Sequence, residues 1–117
     1  MSLITYNMSI RVKIYRDEQG NEPFTEWLES LGDRTTQARI RGRLRRIELG
    51  SFGDHRSVGE GIFELRFHFG PGYRVYFGQI GDEVILLLAG GAKKTQQRDI
   101  KKAKQYWYDY ERGYKNE

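Results

Sequence analysis

Ile10, Val12 and Ile14 alternate with Arg11, Lys13 and Tyr15 near the start of the chain. A period of two predicts a strand with one buried face. Turn residues fill 17–21, and then Phe24, Trp27, Leu28 and Leu31 fall at i, i+3, i+4 and i+7. That spacing predicts a short helix with a single apolar stripe. Pro23 suits its first turn, where a missing N–H costs nothing, and Gly32 ends it. Asp33 is placed to cap a second helix, whose stripe is Ile40, Leu44 and Ile47 and which Gly50 closes. Residues 51–61, with Gly53, Asp54, Gly59 and Gly61, read as a loop.

Three strands follow. Residues 62–69 put Phe63, Leu65, Phe67 and Phe69 on one face and Glu64, Arg66 and His68 on the other. Gly70-Pro71-Gly72 predicts a turn, and Tyr73, Val75 and Phe77 then alternate with Arg74 and Tyr76. After Gly81-Asp82, residues 84–89 are uninterrupted apolar, as in a central strand covered on both faces. Residues 90–94 read as a basic glycine loop. Residues 95–112 read as a helix with Ile100, Ala103, Trp107 and Tyr110 at core spacing. The order β-α-α-β-β-β-α predicts an α+β fold: a small, mostly antiparallel sheet with helices packed on it.

At 117 residues the chain suits one domain spanning 1–117, with 1–8 expected as a flexible N-terminus. The absence of cysteine excludes a disulfide framework, thiolate zinc and a Cys nucleophile. The two histidines lack ligand spacing, so neither a metal nor a cofactor is expected. No apolar run is long enough to span a bilayer, and the N-terminus lacks a signal-peptide pattern. The expected location is therefore the cytoplasm, with no membrane partner.

The net charge of +4 understates the charge pattern. Residues 17–33 hold six acids and no base, 34–46 hold six arginines and no acid, and 93–104 hold six bases and one acid. Such blocks create strong local potentials and point to a polyanionic partner; the plainer alternative is a solvated helix face. On the second helix, Arg39, Arg43 and Arg46 form a rail beside the apolar stripe.

Pairing Phe69 with Tyr73 across the turn sets His68 opposite Arg74 and Arg66 opposite Tyr76. This gathers two arginines, a histidine and a tyrosine on what the pattern predicts is the open face of the hairpin, with Lys93 and Lys94 near its rim. Arginine offers a planar fork for phosphate. RNA cleavage needs a base for the 2′-OH proton, cations for the developing charge and an acid for the leaving oxygen. Arg66 and Arg74 suit the second role and His68 the first, while Lys93, Lys94 or Tyr76 suits either the third or the second. Exposed strand arginines are the plainer alternative.

Residues 53–103 resemble the RelE/ParE toxin superfamily, in its HigB-like, phage Gp49-like addiction-module branch. The resemblance is carried by Glu64-Leu65-Arg66, by Gly70-Pro71-Gly72-Tyr73-Arg74-Val75-Tyr76-Phe77, and by Leu86-Leu87-Leu88 leading into Gly90-Gly91-Ala92-Lys93-Lys94-Thr95-Gln96, then Asp99-Ile100 and Ala103. It implies a compact RelE-like fold and an endoribonuclease that cuts mRNA on the ribosome. It also implies a cognate helix-turn-helix antitoxin, with operator DNA bound only through the toxin–antitoxin complex. Arg66, Arg74, Lys93 and Lys94 match basic positions of the family, and with His68 and Tyr76 from the hairpin pattern they form the expected catalytic set. Arg39, Arg43, Arg46, His55, Arg56 and Arg98 are the expected contacts to RNA and ribosome. Three features depart from the family pattern: Ala92 where an acid is usual, Glu64 where a base is common, and no clear counterpart of the C-terminal catalytic tyrosine, the nearest tyrosines lying from Tyr106 onward. A gyrase-binding toxin and an inactive binding relative are the competing functions.

Overall fold

The computed structural model describes residues 9–115. The expected flexibility of 1–8 lies outside the described residues. The elements are β1 (Arg11–Ile14), α1 (Pro23–Ser30), α2 (Arg34–Glu48), β2 (His55–Gly59), β3 (Ile62–Arg66), β4 (Tyr73–Ile80), β5 (Val84–Ala92) and α3 (Gln96–Lys115), with a 3-10 turn at Lys93–Thr95. The strands form one sheet in the order β1-β5-β4-β3-β2. Only β1 and β5 pair in parallel; the other three pairings are antiparallel. The fold is α+β, as the order of elements predicts.

Two cores explain the strand patterns. On one face, Leu65, Phe67, Val75, Phe77, Ile85 and Leu87 meet Phe24 and Leu28 of α1 and Ile40, Leu44 and Ile47 of α2. On the other, Ile62, Tyr76, Leu86 and Leu88 meet Ala103 of α3, with Ile100 and Trp107 packed beside them. Strand β5 is apolar without interruption because it contributes to both cores. Asp33 caps α2 by accepting from the Thr35 N–H, and Pro23 opens α1, both as expected.

The structure departs from the pattern in four places. Residues 55–59 form an edge strand rather than loop. Their side chains are mostly exposed, so no apolar alternation announces them. The hairpin pairs Arg66 with Arg74 and Glu64 with Tyr76, a two-residue slip from the expected register. An even slip keeps every side chain on its face but moves His68 beyond the ladder. The hairpin face carrying Arg74 and Tyr76 is not open: both are buried, Tyr76 beneath α3, while Arg66 keeps a partly exposed side chain.

Finally, Gly90 and Gly91 belong to β5 rather than to a loop. A Cβ at Gly90 would overlap the Trp27 ring, and one at Gly91 would overlap the Asp99 carboxylate. Gly78 on β4 gives the same close approach to Trp107 of α3. These glycines let large groups from both helical layers rest on bare backbone. Gly78→Ala must push Trp107 out of its seat, and we expect a loss of about 1–3 kcal/mol in urea unfolding. An unchanged midpoint would show that Trp107 moves without cost.

Candidate functional site

Glu64 is at the centre of the most charged interior region of the molecule. It is fully buried, at 0% exposure, in the middle of β3. Its Oε1 faces three arginines from three strands: Arg56 Nε at 3.3 Å, Arg66 Nε at 3.6 Å and Arg74 Nε at 3.8 Å. Its Oε2 accepts from the Tyr76 hydroxyl at 3.1 Å and from the Gln96 amide of α3 at 2.7 Å. A buried carboxylate without cations is costly, and here three cations surround one anion. The cluster therefore keeps a local charge surplus beside the end of the sheet.

The arginines in this cluster are not equivalent. Arg74 has a side chain only 5% exposed, and its Nη1 donates to the carbonyls of Gly72 and Tyr73 in the hairpin turn. The side chains of Arg56 and Arg66 are 52% and 32% exposed. Tyr76 is fully buried, and burial together with the adjacent Glu64 charge pushes its phenol far above its ordinary range. It serves as a neutral donor to Glu64 and is shut off from solvent. Lys93 is exposed and anchored to the same turn, since its N–H donates to the Gly72 carbonyl at 2.9 Å. Lys94 is exposed beside it, and Arg98 follows on the first turn of α3, its Nε 3.6 Å from Asp99.

His68 falls elsewhere. It is exposed, and its Nε2 lies 2.6 Å from Asp54 Oδ2. It lines a groove of about 590 Å³ with Arg39, Arg43, Arg45, Arg46 and Phe69. The structure thus brings His68 to the α2 rail and separates it from Arg74 and Tyr76, which the expected register had set beside it. The two regions still adjoin, because the Arg66 N–H donates to the Asp54 carbonyl at 2.9 Å.

Within the rail, Arg39 lies 3.6 Å over the Phe69 ring. Arg43 is committed to the fold: it donates to the carbonyls of Phe52, Asp54 and Arg66, tying α2 to the loop before β2 and to the end of β3. That corrects its expected role as a free RNA contact. Arg46 is exposed. His55 Nδ1 donates to the Gly53 carbonyl, and its ring packs on Phe52, away from the groove that His68 lines. Among the described residues no cluster of His, Cys, Asp or Glu is arranged to hold a metal ion.

The sequence reading leaves Glu64, Gln96 and Asp54 out of the expected site residues. Glu64 shares the polar face of β3 with Arg66, but Arg56, Tyr76 and Gln96 reach it from other elements, so the strand pattern holds only part of its cause.

The chain matches the family described as Phage derived protein Gp49-like (DUF891) over residues 26–107. An uncharacterized protein of Haemophilus influenzae (strain ATCC 51907 / DSM 11121 / KW20 / Rd) is 47% identical over 81 residues, which is 69% of this chain and 82% of that protein. The fold is a compact α+β domain with a five-stranded, mostly antiparallel sheet and three helices. The chain belongs to the phage-derived Gp49-like family, a toxin family of the RelE addiction-module kind.

Two outcomes test this geometry. Arg74→Ala leaves Glu64 and two turn carbonyls short of a partner, so we expect about 3 kcal/mol of lost stability in urea unfolding. A loss within about 0.5 kcal/mol, as for a surface residue, would contradict the burial of Arg74. The second outcome concerns pH. The His68 hydrogen bond, opposed by partial desolvation and aided by the charges of His68, Arg66 and Arg43, holds the Asp54 carboxyl below its ordinary value of 3.8. A lowered folded pKa stabilises above the unfolded value, and that contribution is lost as pH falls through the folded one. Wild type and Asp54→Asn should differ in Tm by a constant amount above pH 3.8 and converge as pH falls from there through the lower folded value. A difference independent of pH would remove Asp54 from this role.

Proposed function

We propose that this chain is the toxin of a toxin–antitoxin pair and that it arrests translation by cutting mRNA on the ribosome. Membership of the Gp49-like family supports the toxin reading. The observation that carries the RNA-cleaving reading is the gathering of three arginines on one buried carboxylate, next to an exposed lysine pair. A surplus of fixed cations suits the charge that builds on a phosphate under attack. A gyrase-binding toxin has no use for it.

In the proposed reaction the 2′-oxygen of one nucleotide bonds to phosphorus, and the bond from phosphorus to the next 5′-oxygen breaks. His68 takes the 2′-OH proton. With Nε2 held by Asp54, Nδ1 is the nitrogen left to accept it. Arg66 holds the developing negative charge, and Lys93 or Lys94 returns a proton to the leaving oxygen. Arg74 and Tyr76, expected as catalytic groups, act from beneath by holding the turn and Glu64. Arg39, Arg46 and Arg98 supply long-range attraction to ribosomal RNA.

The partner is a helix-turn-helix antitoxin, and the pair binds operator DNA together. The HigB-like branch and a cytoplasmic location belong to the same proposal.

The test is to incubate purified protein with a defined mRNA, free and on programmed ribosomes, and to locate new ends by primer extension. We expect cuts on ribosomes alone. His68→Ala should slow them at least a hundredfold, and Lys93→Ala with Lys94→Ala by tens of fold, with each protein still folded at the assay temperature. Cuts on free RNA would keep the nuclease and drop the ribosome. Folded protein that makes no cuts would turn the reading to the gyrase poison or the inactive relative.

A further inference from the structure

Resting on that phosphate-binding reading, we propose that Arg56 and Arg66 grip the RNA phosphate as a pair and that Glu64 is their positioning residue. Arg74 belongs to the hairpin turn and stays out of contact with the phosphate.

Arg56 and Glu64 face each other across the β2–β3 ladder, and Arg66 follows Glu64 on the same face of β3. Both arginines meet Glu64 Oε1 through Nε, the inner nitrogen of the guanidinium. The Nε of Arg66 is itself buried and sits just outside hydrogen-bond range. The two terminal nitrogens of an arginine carry four of its five donors. Those of Arg56 and Arg66 donate to no group among the described residues. The terminal Nη1 of Arg74, by contrast, is taken by two turn carbonyls, and its side chain is nearly sealed. Two forks side by side, each with unused donors, match the oxygens of a phosphodiester.

Glu64 explains why two guanidiniums stand together at all. Like charges repel, and a fully buried anion between their inner ends removes that cost. Tyr76 and Gln96 fix the other carboxylate oxygen, so the anion cannot swing toward the ligand. The site therefore keeps its acid behind and its bases in front.

A 2′-O-methyl RNA oligonucleotide, which cannot be cut by 2′-oxygen attack, is the probe. It would be titrated into the full chain labelled with 15N, following the arginine Nε–H resonances. Those of Arg56 and Arg66 should move on binding and that of Arg74 should not. Arg56→Lys keeps the charge on an exposed edge strand but loses the fork, and should weaken binding at least fivefold. Glu64→Gln raises the net positive charge, so simple attraction predicts tighter binding; loss of positioning predicts binding at least fivefold weaker. Binding within twofold of wild type in Arg56→Lys, or tighter in Glu64→Gln, would overturn the proposal. So would a shift confined to Arg74. The two readings fail separately. If Arg56 and Arg66 take the oligonucleotide but nothing is cut on ribosomes, the nuclease is lost and the site stands. If ribosomal cutting proceeds at full rate in Arg56→Lys, the site is lost and the nuclease stands.

Discussion

A carboxylate removed from water must be answered by charge and hydrogen bonds, and much of this molecule is arranged to answer Glu64. The answer comes from β2 through Arg56, from β4 through Arg74 and Tyr76, and from α3 through Gln96. An edge strand, a central strand and the last helix thus share one anion. The apolar cores on the two faces of the sheet supply the bulk of burial, but they are indifferent to small slips. Glu64 is not indifferent, because each of its partners must arrive at one of two oxygen atoms. The polar cluster thus sets the register that greasy contacts alone leave loose.

The apolar skeleton was legible from the chain. The stripe Ile40, Leu44 and Ile47 follows from periodicity, Pro23 and Asp33 from the chemistry of helix starts, and the double-faced β5 from its unbroken apolar run, and each sits where the chain puts it. What escaped has a common physical cause. Strand β2 is polar and lies at the edge, so it has no apolar signature. The helix over the hairpin is amphipathic, but nothing in a one-dimensional pattern says which face of the sheet it covers. The reading of an exposed patch failed at Arg74 and Tyr76 for that reason. Glu64 looked like a defect in the basic pattern; in three dimensions it is what allows several bases to sit together.

Arginine has two distinct uses here, and the sequence does not separate them. The arginines of α2 form no ion pair among the described residues. Yet Arg43 is bound to backbone carbonyls on three residues, while Arg46, three positions on, is exposed. Arg74 and Arg66 divide in the same manner across the hairpin. A guanidinium has five donors in a rigid plane, enough to act as a bracket for the chain or as a clamp for an anion. Which use applies depends on whether carbonyls converge on it.

The seats of Trp27 on Gly90 and Trp107 on Gly78 link positions far apart along the chain. At those two points the sheet has no thickness of its own, and the indole rests on the backbone. A side chain gained at either glycine is tolerable only if the ring above it shrinks. A ring lost leaves a hollow that the glycine has no means of filling. As related chains diverge, these positions should therefore change as couples, each joining one strand to one helix, on opposite sides of the same sheet.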